Sequence, residues 1–219
     1  MPVPLFVTLL VQTPMALSTH SFSAPLEAVV PVFRRYGADA APDEAVAAAL
    51  HIPVNELSVH FSNRHVLVKE ATLADLERQK REHVEIFQKY PTAVERLFGL
   101  IQQGLTELAN TPPEYYAVMQ QKFPQAWDVL MQHLDTYSSP QLQQLLNEGI
   151  RQRLFRSDIN IQLVTKILLE QTNMLLNPAV FPPERYNMAE VFRCIFLYYI
   201  RGLCTDEGAR IAANHFSRI

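Results

Sequence analysis

Residue types that carry catalysis or bind metal ions occur in this 219-residue chain, but their spacing matches no familiar catalytic or metal-binding pattern. Ser58 and His60 are two residues apart, without an elbow motif or a third partner to make them a nucleophile and its base. The six glycines are all isolated, which leaves no phosphate-binding loop. The histidines have no paired spacing with cysteine or acidic residues that would predict a zinc site. They are His20, His51, His60, His65, His83, His133 and His215. We therefore expect no enzyme activity, no metal site and no cofactor.

The two cysteines also lack the spacing of a disulfide. Cys194 and Cys204 fall in one predicted helix. At about 1.5 Å per residue their Cα atoms would be roughly 15 Å apart, too far for a bridge. Two buried thiols in a reducing cytosol are the expectation, and we predict a cytoplasmic protein.

The first 25 residues form an extension with an apolar run from Val3 to Val11. A secretory signal begins with positive charge, whereas no Lys or Arg precedes this run and Pro4 and Pro14 interrupt the segment. The run is too short to span a bilayer, and no other stretch is a clean transmembrane helix. We expect residues 1–25 to be a flexible or surface-packed extension, and we expect no membrane partner.

Residues 26–71 suggest a different chemistry, the recognition of DNA. Their pattern predicts three short helices with breaks at 36–39 and 51–53, closing on an aromatic residue at Phe61. Two helices joined by a tight turn, with the second free to enter a major groove, form a helix-turn-helix. We therefore predict a helix-turn-helix DNA-binding domain at residues 26–70.

This stretch resembles the N-terminal signature of the TetR family of bacterial transcriptional regulators. In that family a first helix ending in Phe and Gly precedes a second helix, a turn, and a short reading helix that ends in an aromatic motif. The matching positions are Ala28, Phe33, Gly37, Val46, Ala47, Leu50, Ile52, Leu57, His60, Phe61 and Leu67. Most of them are packing positions, so the resemblance implies the fold more strongly than it implies DNA binding.

The chain departs from the family pattern at positions that would contact DNA or shape the turns. Ser58 stands where the family usually has Tyr, and Arg64 stands where it has Lys, which keeps the charge and adds a bidentate option. His51 replaces the turn glycine and would be strained if a positive φ is required there. Pro53 replaces the capping serine. Pro31 falls inside the first helix, which is therefore expected to be kinked or to start late.

The resemblance also implies which side chains would meet a double-stranded DNA operator. The expected groove-facing residues are Asn55, Glu56, Ser58 and Val59, and those near phosphates are Ser58, His60 and Arg64. Residues 26–71 contain four Lys and Arg residues against six Asp and Glu residues, and the whole chain has a net charge of -3. Because Lys and Arg supply most non-specific affinity for DNA, we expect a weak, salt-sensitive binder or one that relies on two heads.

Residues 71–219 have helical periodicity throughout, so we predict an all-α protein whose second domain binds an effector and dimerises. Helices are expected over 67–89, 92–109, 114–137, 139–155, 159–176, 188–204 and 205–216. Pro124 should kink the third of these. Ser139 is expected to cap the fourth, Asn187 to open a capping box, and Thr205 to start the last helix.

The helix predicted over residues 188–204 carries apolar side chains on nearly all of its sides. Such a helix is buried on more than one side, which implies contact with a second chain as well as with its own. In the TetR family two C-terminal helices from each subunit form a four-helix dimer interface. By this resemblance we expect a homodimer that forms through residues 159–176 and 188–204.

A stripe of aromatic and Met side chains lies in the segment that lines the effector cavity of the family. These residues are Tyr115, Tyr116, Met119, Phe123 and Trp127. Pockets for small apolar effectors are lined in this way, although a stripe at helical spacing is also what a plain core would have.

These observations lead to one interpretation and one alternative. The first is a TetR-like, DNA-binding transcriptional repressor that is controlled by a small apolar effector. The alternative is a dimer of the same fold that has lost DNA binding and acts as a ligand-binding or protein-interaction module.

Overall fold

The computed structural model describes residues 25–112, 114–175, 177, 179–182 and 184–216. Within these residues the structure is helical, with no strand beyond an isolated bridge between Phe155 and Cys204. The α-helices are α1 Val30–Tyr36, α2 Asp43–Ala49, α3 Leu57–His60, α4 Arg64–Lys89, α5 Ala93–Ala109, α6 Glu114–Lys122, α7 Pro124–His133, α8 Ser139–Arg151, α9 Ile161–Leu175, α10 Met188–Leu203 and α11 Asp206–Phe216. The all-α prediction is confirmed.

Apart from Pro25, the predicted extension lies outside the described residues. None of the described helices combines the length and the apolar character needed to cross a membrane.

Three short helices, α1 to α3, form an N-terminal unit that we call the head. A 3-10 turn at Leu26–Val29 precedes α1, and Pro31 occupies the first turn of α1, where its missing N–H costs no helical hydrogen bond. The first helix therefore starts late. Gly37 and His51 follow α1 and α2 with φ angles of 84° and 56°. His51 thus adopts the positive φ that is unfavourable for a residue with a Cβ atom.

The longest helix, α4, joins the head to the remaining helices, which we call the body. It begins at Arg64, earlier than predicted, because the side chain of Asn63 accepts a hydrogen bond from the backbone N–H of Val66 at 3.0 Å. Leu67 and Val68, in its first turns, are buried in the core of the head. Its later turns contact α5 in the body.

Two hydrophobic clusters hold the molecule together. The first is the core of the head, and it includes Met119, Phe123 and Ala126 from α6 and α7. The second lies in the body, where Phe98 and Phe155 are almost fully buried. Because α6 and α7 complete the core of the head, the head and the body share one of their two cores.

The single helix predicted over residues 114–137 is divided in the structure. Helix α6 ends at Lys122 and α7 begins at Pro124. Phe123, between them, has φ -126° and ψ 60°, outside the helical region. A residue that precedes proline is driven out of the α region, so Pro124 starts a new helix instead of kinking an existing one. The prediction of one kinked helix was wrong.

The predicted cap at Ser139 was also wrong. Helix α7 passes through a π-helical turn at Leu134–Ser138 directly into α8, and Ser139 has helical angles, φ -63° and ψ -54°. Because the chain never leaves the helical region there, no N-cap is formed. Helix α8 then ends at Arg151, before the predicted end near residue 155.

Asn187 and Thr205 cap the last two helices, but the capping box predicted at Asn187 is present only in part, because no return bond from the Glu190 side chain occurs among the described residues. The side chain of Asn187 accepts a hydrogen bond from the backbone N–H of Glu190 at 3.1 Å. Thr205 Oγ1 accepts one from the backbone N–H of Gly208 at 3.1 Å. Each of these bonds satisfies a donor that a helix start would otherwise leave unpaired.

Candidate DNA-binding surface and effector cavity

The predicted reading helix is a short element at the surface of the head. A 3-10 turn at Val54–Glu56 leads into α3, which is about one turn long. Asn55, Ser58 and Val59 are exposed, with Val59 at 73%, and Glu56 is half-buried. All four predicted groove-facing residues therefore lie in one short segment with at least part of each side chain accessible.

Two of the residues predicted to approach phosphates are engaged within this segment. Ser58 Oγ donates a hydrogen bond to the carbonyl of Asn55 at 3.2 Å. His60 Nε2 lies 3.8 Å from a carboxylate oxygen of Glu56, one helical turn earlier. Both side chains point back along their own helix, which shortens the reach of the segment toward a partner.

Arg64, the third residue predicted to lie near phosphates, is the first residue of α4 and contacts both α1 and α2 of the head. Its guanidinium donates to the carbonyl of Ala41 at 2.8 Å and to Asp43 Oδ1 at 2.5 Å. It also lies over the ring of Phe33, 5.9 Å from the ring centroid. The positive charge of Arg64 is therefore balanced by Asp43 at the start of α2.

Other cations in and around the head are likewise paired with carboxylates. Arg81 of α4 contacts Glu27 at 2.9 Å, and Lys122 of α6 contacts Asp39. Arg34 points inward to the body. The exposed Arg35 of α1, which lies over the ring of Tyr36, and the half-buried Lys69 of α4 are cations without a carboxylate contact among the described residues. The unbalanced positive charge that the head offers to DNA phosphates is therefore small.

The five residues predicted to line an effector pocket are placed in two different environments. Met119 and Phe123 are buried in the core of the head, and Tyr115 and Trp127 pack against that core. Tyr116 borders two cavities that the other four do not, one lined by residues of the body and one that Arg34 of α1 also lines. A third, smaller cavity is lined by Tyr115, Tyr116 and Met119 together.

The largest of these cavities, which we call the outer cavity, has a volume of about 600 Å³. It lies between the end of α5, the start of α6 and the segment before α10, and Leu108, Tyr116 and Leu175 form part of its wall. The same three residues line a second, inner cavity of about 190 Å³. The two cavities therefore adjoin each other at these three side chains.

The inner cavity has one apolar side and one polar side. The apolar side chains are Leu100, Leu108, Leu130, Leu134, Leu175 and Phe192. The polar side is formed by Arg34, Gln79, His83, Gln103 and Glu107. A site of this kind suits a small molecule with an apolar part and a few hydrogen-bonding groups.

An ion network at the polar side connects the head with the body. Arg34 of α1 lies 2.6 Å from Glu107 of α5 and 3.6 Å from Asp75 of α4. Arg78 of α4 contacts Asp75 and Glu107, each at 2.8 Å, and also contacts Glu82. A side chain of the head thus forms part of the wall of a cavity in the body.

The two buried carboxyl groups of this network respond differently to their surroundings. Burial raises the pKa of Asp75 above its ordinary value, although Arg78 and Arg34 oppose this change. Burial also acts to raise the pKa of Glu107, but its contacts with Arg78 and Arg34 are stronger and lower the pKa overall. Burial is thus the dominant influence on the pKa of Asp75, whereas the arginine contacts together dominate that of Glu107.

Sequence reasoning missed Gln103 and Glu107, although α5 contains a signal for them. Leu100, Gln103, Gly104, Glu107 and Leu108 have the three- and four-residue spacing of one helix face. Two polar residues on an otherwise apolar face indicate a polar patch within a core. Arg34 was one of the four basic residues counted in residues 26–71, and that count did not indicate its contact with the body.

The exposed sides of α9 and α10 carry apolar residues. Leu163 and Met174 are exposed on α9, and Tyr198 is 73% exposed on α10. Cys194, one turn before Tyr198, is exposed, whereas Cys204 is buried. The expectation of two buried thiols therefore holds for Cys204 alone in the single chain.

No group of three His, Cys, Asp or Glu side chains that could hold a metal ion occurs among the described residues.

Comparison with known proteins gives likeness in structure but not in sequence. No protein-family model matches the chain, and no curated protein matches it. A TetR-family transcriptional regulator from Rhodococcus sp. has a similar structure, with a TM-score of 0.59 and 13% identity, over 84% of this chain and 98% of that one. The FadR regulator of Bacillus subtilis, solved with stearoyl-CoA, has a TM-score of 0.55 and 15% identity over 81% and 97% of the two chains. The superantigen PfiT has a TM-score of 0.53 and 15% identity over 85% and 98%.

The chain combines a three-helix head, a connecting helix and a helical body with cavities. The solved structures name that fold: it is the fold of the TetR-family transcriptional regulators. At identities below one residue in five, the likeness to these three structures establishes the architecture and leaves ligand and partner to be argued from the residues.

Proposed function

We propose that this protein is a transcriptional regulator, acting as a repressor, whose binding to an operator is controlled by a small effector in the cavities of the body. The observation that carries the proposal is the position of Arg34. It belongs to the first helix of the head, yet it pairs with Glu107 and lines the inner cavity. A ligand in that cavity meets a residue of the head directly.

Regulation then follows from a difference in binding free energy between two arrangements of the head. An effector can shift the equilibrium only if it binds one arrangement more tightly than the other. A ligand group that competes for Arg34 or Glu107 does this, because their 2.6 Å contact joins α1 to α5. By linkage, operator binding changes effector affinity by the same factor.

The head would read the operator through the exposed segment before and within α3. Asn55, Glu56, Ser58 and Val59 would face the groove, and Ser58, His60 and Arg64 would lie near phosphates. To contact a phosphate, the Arg64 guanidinium would have to release Asp43 or bind Asp43 and the phosphate at the same time. This arrangement gives weak binding per head, so two heads are needed for useful affinity.

Two heads would come from a homodimer formed through residues 159–176 and 188–204. The exposed Leu163, Met174 and Tyr198 support this interface, since a second copy would remove apolar surface from water. It would also cover Cys194, which is exposed in the single chain. The heads of such a dimer must lie about 34 Å apart to meet successive major grooves on one side of the DNA.

The proposal is tested by gel-shift titration of the full chain against DNA from upstream of its own coding sequence. At low salt we expect saturable binding that weakens steeply as salt is raised. Val59→Asp adds a negative charge to an exposed position of α3 and should weaken binding by at least about tenfold, because like charges repel at the groove. Val84→Asp is the matched control, since Val84 is exposed on α4 in the body.

The alternative, a dimer of this fold without DNA binding, rests on the charge of the head. Arg64, Arg81, Lys122 and Arg34 are all paired with carboxylates. The likeness to the superantigen PfiT is in keeping with other uses of the fold. A folded dimer that shifts no DNA at any salt concentration would favour this alternative over the regulator.

A further inference from the structure

The chemistry of the inner cavity narrows the class of molecule that it can accept, and this inference rests on the proposed function of that cavity as the effector site. Its apolar lining consists mainly of leucine side chains and Phe192, which suits an alkyl chain. Its polar lining comprises Arg34, Gln79, His83, Gln103, Glu107 and Thr172, and we call Arg34, Gln103 and Glu107, which carry unpaired polar atoms, its polar end. The ligand must therefore be amphipathic, with one compact head group.

The charges at the polar end are already balanced, which argues against a charged head group. Two guanidinium groups, Arg34 and Arg78, face three carboxyl groups, Asp75, Glu82 and Glu107. Even with Asp75 protonated, this network has no excess positive charge to attract a carboxylate or a phosphate. An ammonium group would find both oxygens of Glu107 already facing arginines. A charged ligand would lose its hydration without gaining a free counter-charge.

Three buried polar atoms at this end have no hydrogen-bond partner among the described residues. They are Nε of Arg34, which is a donor, and Oε1 of Gln103 and Oε2 of Glu107, which are acceptors. Oε2 of Glu107 lies 2.6 Å from Arg34 as an ion pair, without the geometry of a hydrogen bond. The amide nitrogen of Gln103 donates to the carboxylate of Glu82, which fixes the amide with Oε1 directed elsewhere. Arg34, Gln103 and Glu107 all line the inner cavity. A group that accepts from Arg34 Nε and donates to Oε1 of Gln103 would satisfy two of these atoms, and leaving them unpaired is costly.

We propose that the inner cavity takes a neutral amphipathic molecule with an alkyl chain and a hydroxyl or primary amide head group, and that the head group binds between Arg34 and Gln103. A hydroxyl and a primary amide each accept and donate at once, which a carboxylate and an ammonium group cannot do. The inner cavity, at about 190 Å³, is smaller than the roughly 300–1,000 Å³ of drug-sized sites, so the ligand is small. A longer chain would continue past Tyr116 into the outer cavity.

Calorimetric titration of the unmodified full chain with four probes of equal chain length tests the proposal. The probes are 1-octanol, octanamide, octanoate and octylammonium at neutral pH. We expect 1-octanol or octanamide to bind at least about tenfold more tightly than either charged probe, as unpaired buried charge is expensive. Tighter or equal binding of octanoate or octylammonium would overturn the proposal, and so would the absence of saturable binding by all four.

A pair of variants on α5 locates the head group. Gln103→Leu removes the acceptor and should weaken binding of the neutral probes by about tenfold, the scale of one lost hydrogen bond. Gln102→Leu is the matched control, because Gln102 is exposed and outside the inner cavity. Equal effects of the two substitutions would contradict the placement. Circular dichroism of each variant verifies that it is folded.

The assay contains no DNA, so its failure is distinguishable from failure of the regulator proposal. A chain that prefers neutral probes but shifts no DNA supports the ligand assignment and refutes operator binding. A chain that binds its operator but prefers a charged probe refutes the ligand assignment alone.

Discussion

The outer face of the head and its junction with the body use charged residues in opposite ways. On the outer face, around α3, Glu56 and His60 face each other at 3.8 Å, and Arg64 is held by Asp43. At the junction, Arg34 and Glu107 form a largely buried pair that joins two parts of the molecule. Around α3 the charged contacts stay within residues 41–64, whereas the pair at the junction connects the head to the body.

This difference shows where the head depends on its surroundings. Its outer face is built from short segments that contact few neighbours, whereas its inner face is completed by Met119 and Phe123 from the body. The orientation of the head is therefore set at the junction. Substitutions there should disturb stability and coupling, while those on the outer face should change only what the head binds.

The largest effect is expected from truncating a junction side chain in the shared core. Met119 is 2% exposed, and Met119→Ala removes most of its side chain from a packed site. We expect a loss of about 3 kcal/mol in the free energy of unfolding, because a cavity is left behind. Val59→Ala, at a position 73% exposed on the outer face, should change the free energy of unfolding by less than about 0.5 kcal/mol. Urea denaturation followed by circular dichroism measures both, and comparable losses would contradict the contrast.

A smaller loss is expected from breaking the ion network. Glu107→Ala removes the partner that lies 2.6 Å from Arg34 and 2.8 Å from Arg78. Asp75 remains near both arginines, so we expect a loss of about 2 kcal/mol, below the value for a fully orphaned buried charge. Glu85→Ala, an exposed position on α4, is the control. If the two variants unfold at the same urea concentration, the network does not hold the head in place.

The pH dependence of stability should be dominated near neutrality by a histidine of the body. Burial lowers the pKa of His133 to about 4, with Lys80 and His83 adding to the effect. The unfolded state then binds more protons than the folded state below the ordinary histidine pKa, so stability is full above about pH 6.5 and is lost as pH falls toward 4. Allowing for partial solvation, we expect about 1–2 kcal/mol to be lost between about pH 7 and pH 5.

Replacing that histidine checks the assignment. His133→Gln should flatten the dependence of the urea midpoint on pH over this range. His65→Gln, which replaces an exposed histidine of α4 beside Phe123, serves as the comparison. A slope that is unchanged in His133→Gln would show that another group controls the pH response. Burial also lowers the pKa of His83, which is the next residue to replace.

Local signals in the sequence were sufficient for most of the helices. Side-chain caps at Asn187 and Thr205 and the early Pro31 act through neighbouring backbone groups, and a sequence displays those neighbours directly. The division at Phe123 and the π-helical turn at Leu134–Ser138 were not predicted. The division at Phe123 follows from the local effect of Pro124 on the residue before it, which was taken for a kink in one helix. The π-helical turn has no counterpart in the periodicity of the sequence.

The exposure of the predicted groove-facing residues could be predicted from the sequence, whereas the contact at the junction could not. Asn55, Ser58 and Val59 are exposed as the resemblance implied, because a turn followed by a short helix determines their positions locally. The contact between Arg34 and Glu107 joins residues far apart in the sequence, so no local pattern contains it. The aromatic stripe near Tyr116 has both core and cavity residues, since its two sides face different neighbours.

The smallest expected effect concerns the charge of the outer face. Glu56→Gln removes one negative charge from the segment proposed to enter the groove, where its side chain is 45% exposed. Operator affinity should rise a few-fold at low salt, and the gain should shrink as salt is raised, because screening weakens the repulsion between Glu56 and phosphates. Gel-shift titrations at two salt concentrations measure this change, and Glu85→Gln, on the later turns of α4, provides the control. An equal rise in both variants would mean that overall charge governs binding. A rise in Glu56→Gln alone would place the DNA at the segment before α3.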